Sequence, residues 1–142
     1  MARQAMLLVA DEIYYNLHGK AILQGIYHAE LTIRSESLLA PQLIFFFLVE
    51  TDNDDPFMFL RLHVALPGES PVLMQIPTTP VHISPGVKEI SKQFIRWPLL
   101  VQAPILRPGR IEAKVIHDKG EIVVGAPWIT YTGAATQDPP QA

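Results

Sequence analysis

The chain has 142 residues, 49% of them hydrophobic and 18% charged, with a formal net charge of −3. That length suits one domain able to bury roughly two-thirds of its unfolded surface, and the composition excludes a chain held open by its own charge. The eleven Lys and Arg are scattered singly, unlike the basic stripe of a nucleic-acid binder, and the absence of cysteine excludes disulfides, cysteine nucleophiles and thiolate metal sites.

Thirteen prolines, from Pro41 to Pro140, leave few windows long enough for a helix. The expected elements are therefore short strands and turns. Ala5 to Ala10 reads as a buried first strand. Its apolar stretch stops at Asp11-Glu12, short of the about 7–15 residues of a secretory core, which points to a cytoplasmic protein. Ile13 to Tyr15 continues that strand or begins another. Asn16-Leu17-His18-Gly19 is a turn, with Asn and Gly both tolerant of positive φ. Lys20 to Glu30 is the return strand, and Gly25 inside it suggests a bulge or a close approach. Leu31 to Arg34 extends the sheet. Ser35 to Ala40 is expected to form one helical turn, capped by Ser35 and ended by Pro41.

Leu43 to Glu50 is the expected central strand. A strand alternates its side chains between two faces. Leu43, Phe45, Phe47 and Val49 occupy one face and Ile44, Phe46 and Leu48 the other, so both faces call for burial. The apolar run is far below the ~20 residues that span a bilayer. Thr51 to Pro56 is a polar turn. Phe57 to Leu66 is expected to return across it as the antiparallel partner, with Met58, Leu60, Leu62, Val64 and Leu66 facing the core and Phe57 and Phe59 facing away.

Pro67 to Pro71 is a turn and Val72 to Ile76 a short strand. Pro77 to Gly86 reads as irregular. Val87 to Phe94 reads as extended, running on into a strand from Ile95 to Val101. Arg107-Pro108-Gly109 is a turn. Arg110 to His117 alternates, with Ile111, Ala113 and Val115 on the buried side. Asp118-Lys119-Gly120 is a three-residue hairpin loop with Gly120 left-handed in a bulge. Glu121 to Tyr131 returns, interrupted near Pro127. The pattern is all-β: an antiparallel β-sandwich of immunoglobulin-like, C2-like or jelly-roll type, with eight or nine short strands and at most one or two helical turns. A barrel is the second choice. Residues 1–132 form the single domain and 133–142 a flexible tail.

Two groups of residues carry a family resemblance. One is Leu8-Val9-Ala10-Asp11, then Gly19-Lys20, then Gly25-Ile26-Tyr27. The other is Pro108-Gly109, an alternating strand, Asp118-Lys119-Gly120 and a second strand. Together they resemble a family of small uncharacterised bacterial β-sandwich proteins, a domain of unknown function. The resemblance covers both ends of the chain and fades between residues 67 and 95. Lys119 departs from the Asp-Gly hairpin of that family. The resemblance implies a sandwich fold and brings no activity, cofactor or catalytic residue.

The candidate chemistry is sparse. Asp52, Asn53, Asp54 and Asp55 crowd oxygen ligands onto one loop, but the glycine and the bidentate glutamate of an EF-hand are missing. His18, His28, His63, His82 and His117 have no close metal spacing. His63 and His117 form a pair able to meet only across a sheet. No serine lies in a Gly-x-Ser-x-Gly elbow. Glu30 with Glu50, or Glu12 with Glu112, would serve glycoside hydrolysis only at about 5–9.5 Å. Arg96 and Trp97 are the candidate ligand platform for a small molecule or carbohydrate.

The apolar strand therefore dominates the functional reading. Left in water, each of Ile44, Phe46 and Leu48 forgoes roughly 1.5–3 kcal/mol of burial. Phe57 and Phe59 extend the same patch. Ile44, Phe46, Leu48, Phe57 and Phe59 are the expected interaction surface of a non-enzymatic assembly module, expected as a homo-oligomer. No catalytic residue, metal or cofactor is expected, and neither nucleic acid nor a membrane is an expected partner. A cover supplied by the chain itself is the competing arrangement.

Overall fold

The computed structural model describes residues 3–78 and 92–132. Among the described residues there is no helix. Fourteen strand segments follow in order: β1 (Gln4–Ala10), β2 (Glu12–Tyr15), β3 (Ala21–Gln24), β4 (Glu30–Ile33), β5 (Leu38–Leu39), β6 (Gln42–Asp52), β7 (Leu60–Ala65), β8 (Val72–Ile76), β9 (Lys92–Gln102), β10 (Ile105–Leu106), β11 (Gly109–Arg110), β12 (Glu112–His117), β13 (Gly120–Val124) and β14 (Trp128–Tyr131). The fold is all-β, with antiparallel sheets packed as a sandwich.

The first sheet has the order β1-β6-β9, and β6 is its centre. Both pairings are antiparallel, with Phe47 opposite Leu7 on one side and Trp97 on the other. Residues directly opposite share a face. The inner face therefore carries Leu43, Phe45, Phe47 and Val49 of β6 with Ile95 and Leu99 of β9. All six are buried in one continuous core. The inner face ends in two buried polar residues, Thr51 and Gln93. Thr51 Oγ1 donates to the Asp55 carbonyl at 2.8 Å, and Gln93 Nε2 to the Thr78 carbonyl at 2.9 Å.

The second sheet has the order β13-β12-β7-β8, antiparallel throughout. Leu60, Leu62 and Val64 of β7 and Ala113 and Val115 of β12 face the first sheet and complete the core. A smaller sheet, β11-β14-β4, contains one parallel pair, β14 with β4. Among the described residues two ribbons remain, β2 with β3 and β5 with β10.

The expected strand positions hold for β1, β2, β6, β8, β9 and β12. Several details differ. The segment from Lys20 to Glu30 breaks at Gly25, whose φ is +73°. The Asp11 side chain fills the space a Cβ would need there, so both a bulge and a close approach are realised. The chain resumes pairing at Tyr27, opposite Val9. Ser35 to Ala40 makes no helical turn. Residues before a proline avoid the helical region, and Leu38–Leu39 instead pairs with β10.

β7 does not pair with β6 across the polar turn. It crosses to the second sheet, where β12 and β8 flank it. Residues 57–59 precede the strand and escape its alternation, so Phe57 is buried and Met58 exposed, the reverse of the expected phase. From Leu60 onward the expected inward face is correct. The β12–β13 hairpin pairs His117 with Gly120, leaving a two-residue loop. Gly120 has φ +140°, a positive angle outside the left-handed helical basin, so the expected bulge conformation is not adopted. The count of eight or nine strands rises because Gly25 and Pro127 divide long strands and short bridges add β5, β10 and β11. The irregular reading of residues 79–86, the extended reading of residues 87–91 and the tail at 133–142 lie outside the described residues.

Candidate functional site

The proposed patch on β6 resolves into residues of different kinds. Ile44 is 1% exposed and Phe46 7%. Both are hidden within the single chain, and so is Phe57. Leu48 and Phe59 are half-buried. The expectation that this central stripe needs a cover from outside the chain therefore fails for Ile44, Phe46 and Phe57. A central strand has neighbours on both sides: Phe46 is flanked by Leu8 and Pro98, and Ile44 by Ala10 and Leu100. Phe57 belongs to the core between the sheets, with the Arg3 guanidinium 4.6 Å above its ring and His117 edge-on at 5.8 Å.

What remains open is the rim of the same outer face. Met6 is 56% exposed, Leu100 45% and Phe94 44%. The register places Met6 opposite Leu48, Leu100 opposite Ile44 and Phe94 opposite Glu50. The outer face thus runs Met6, Leu8, Phe46, Leu48 and Leu100, with Arg96 opposite Leu48 and a charged end. At that end Lys92 Nζ sits 3.4 Å from both Glu50 Oε2 and Asp52 Oδ1. The sequence pattern exposed the alternation of β6, but not which neighbours would flank it. That requires the pairing of β1 and β9.

The β2–β3 ribbon leaves the first sheet just beyond Ala10. It places Tyr14 opposite Ile22 and Tyr15 opposite Ala21. Tyr14, Tyr15, Ile22 and the tip residue Leu17 are all exposed. Two-stranded ribbons are marginal in water by themselves, and this one is anchored at its base. Asp11 N–H donates to the carbonyls of Gln24 and Gly25. Tyr27 donates to Asp11 Oδ1 at 2.5 Å. Burial first, and this bond second, push the Tyr27 phenol up to about 12.

The pairs read from the sequence do not assemble. His63 lies on the outer face of the second sheet, opposite Lys114, whereas His117 faces inward at the end of β12. Odd-numbered spacing on β12 against its partner register puts the two rings on opposite sides, so no metal is shared across that sheet. Asp52 and Asp55 are committed to cations: Asp52 to Lys92, and Asp55 to Arg3 and Lys119. Among the described residues no group of three His, Asp or Glu side chains is placed to hold a metal ion. Glu50 is ion-paired on the first sheet, while Glu30 accepts from Thr130 Oγ1 on the small sheet. Glu12 accepts from the Tyr14 hydroxyl at 2.7 Å on the ribbon, and Glu112 lies on β12.

The polar cluster around Arg3 was not visible from the sequence. Arg3 Nη2 lies 3.1 Å from Asp55 Oδ1 and Nη1 lies 3.0 Å from Asp118 Oδ1. Nη1 also contacts His117 Nδ1 at 2.8 Å, and Nδ1 accepts the Lys119 N–H at 3.2 Å. These contacts require an unprotonated Nδ1. Burial first, then the Arg3 charge, lower the His117 pKa. The Arg3 hydrogen bond, followed by the Met58 N–H, pulls Asp118 down to about 2. This cluster ties the start of β1 to the β6–β7 loop and to the β12–β13 hairpin. All its members are paired with one another, so it reads as a structural lock.

Arg96 and Trp97 do not form a platform. Neighbours along a strand point to opposite faces: Arg96 is on the outer face beside Leu48, while Trp97 faces inward opposite Phe47. Trp97 packs against the core and donates from Nε1 to Met74 Sδ at 3.2 Å. The exposed tryptophan is Trp128, paired with Arg110 across β11–β14. No helix among the described residues is long and apolar enough to cross a membrane. Comparison with family models and with curated proteins returned no match.

Proposed function

We propose that this protein works by association, as an assembly module whose partner is a second copy of itself. The observation that carries the reading is the half-exposed rim of the outer face of the first sheet, formed by Met6, Phe94 and Leu100 around Phe46 and Leu48. Apolar side chains clustered on one sheet face mark interaction surfaces more than singly scattered ones do. The face carries charges of both signs at one end, Lys92 with Glu50 and Asp52, and Arg96 in its middle. Such a mixture suits a self-complementary contact, in which one patch meets its own copy about a two-fold axis. The exposed β2–β3 ribbon begins where this face ends and enlarges the apolar surface available to it.

Sedimentation velocity tests the reading. At about 100 µM, well above the Kd of a specific dimer, the wild-type protein is expected to sediment as an oligomer. Leu100→Glu should shift it to a folded monomer, its melting temperature lowered only by the lost contribution of assembly, because Leu100 is 45% exposed in the single chain. A wild-type protein that stays monomeric across that range overturns the proposal.

A further inference from the structure

A second surface lies on the opposite side of the sandwich. Between Ala113, paired with Val124, and Arg110, paired with Trp128, one strand has two intervening residues and the other has three. That extra residue, among Gly125, Ala126 and Pro127, bends the ribbon. Bulges re-aim the side chains beyond them, and here the β11–β14 end turns over the outer face of the second sheet. The fold makes a cleft of about 410 Å³. Trp128 and Arg110 form its wall, and His63, Glu112, Lys114 and Glu121 are its polar lining.

The lining has unspent capacity. Trp128 is 54% exposed, with the Arg110 guanidinium carbon 5.9 Å from its ring centroid. That contact orients the indole and leaves Arg110 without a carboxylate partner among the described residues. Lys114 Nζ and Glu121 Oε1 face each other at 3.4 Å in a pair open to solvent. Glu112 has no ion-pair partner among the described residues. His63 Nδ1 is shielded from solvent and has no hydrogen-bond partner, and a shielded polar atom left unpaired calls for an explanation.

This set selects a ligand class. Two carboxylates among the lining disfavour a polyanion, and the charged floor disfavours a hydrocarbon. Hydroxyl groups both donate and accept, so they satisfy guanidinium, ammonium and carboxylate alike. The C–H face of a pyranose ring matches an exposed indole. The cleft volume lies within the about 300–1,000 Å³ common for small-molecule sites. We propose that this cleft binds a neutral saccharide, one sugar ring resting on the indole surface that Arg110 leaves open and its hydroxyls shared among Arg110, Glu112 and the Lys114–Glu121 pair. The site is remote in the fold from the assembly face and does not depend on it.

The test is saturation-transfer NMR and calorimetry on the full chain. The probes are the methyl glycosides of glucose, galactose, mannose and N-acetylglucosamine and their common disaccharides. At least one neutral sugar is expected to bind, and Trp128→Ala should weaken it by about tenfold or more. Arg110→Ala, at an exposed position, should weaken it as well, and Leu100→Glu should leave it unchanged. Melting temperatures of the variants control for folding. The proposal is overturned by the absence of saturation transfer from every probe at about 10 mM, or by binding that both cleft variants leave intact.

Discussion

The two faces of β6 are nearly equal in burial and unequal in what they do. Phe45 and Phe47 on the inner face, and Ile44 and Phe46 on the outer, are all withdrawn from water. Only the inner pair belongs to the continuous core, pressed between two sheets. The outer pair is flanked by its own sheet, and the surrounding Met6 and Leu100 stay half open. Low exposure of a central-strand residue therefore does not identify the core.

The largest expected effect comes from removing this equality. Phe47→Ala leaves a cavity between two sheets that cannot close on it, and should cost about 3–5 kcal/mol. Phe46→Ala opens a space toward the outer face, where neighbours and solvent relax into it, and should cost clearly less. Urea unfolding of both variants measures the difference. Equal losses would mean that the outer face is packed as a core in its own right, and would remove the distinction on which the assembly reading stands.

Much of the fold was legible in the sequence because period-two alternation is local. Leu60 to Leu66 and Ile111 to Val115 declare their inward faces without knowledge of their partners, whereas Leu43 to Val49 is apolar on both faces. The prolines and Gly25 mark where strands end. Pairing was not legible. Nothing in residues 51–56 says that β7 crosses to the other sheet instead of returning beside β6, because a six-residue turn fits either path. Phe57 was misplaced because alternation was extended three residues beyond the strand's true start. Arg96 and Trp97 were joined by adjacency in sequence, although strand geometry separates adjacent side chains. The cleft was illegible for the same reason as the pairing: Trp128 and Arg110 meet only after the ribbon bends between residues 124 and 128. Arg3 carries no signal of its own in the sequence, because its role needs the start of β1, the β6–β7 loop and the β12–β13 hairpin brought to one point.

That cluster separates the inner and outer regions by pH. His117 is held neutral in the fold by burial and by Arg3, so the unfolded chain binds the extra proton as pH falls through the ordinary histidine value of 6.5. Stability then falls with pH below that value. Asp118 has its carboxyl lowered from 3.8 to about 2. Its contribution is present above pH 3.8 and is lost as pH drops toward 2. Urea midpoints should therefore decline in two stages on acidification. His117→Gln should flatten the first stage and Asp118→Asn the second. A first stage unchanged in His117→Gln would show that another group carries it. The charges of the outer face, Glu50 and Lys92, are solvent-screened and should leave the midpoints almost unmoved by salt.

The smallest expected effect is the sharpest test of face assignment. Met6 and Leu7 are consecutive on β1, Met6 opposite Leu48 and Leu7 opposite Phe47. Leu7 is partly buried against the core, and a carboxylate there is partly desolvated with no partner. Leu7→Glu should cost about 2–3 kcal/mol or more by that desolvation. Met6→Glu places the same carboxylate on the exposed rim, where its effect on the isolated chain should stay within about 0.5 kcal/mol. On the assembled protein Met6→Glu should act as Leu100→Glu does and release monomers, because a charge within an apolar contact is tolerated only while that contact is open. Two neighbours given the same charge thus answer separate questions: Leu7→Glu reports whether the sandwich is built as described, and Met6→Glu reports whether its outer face is occupied.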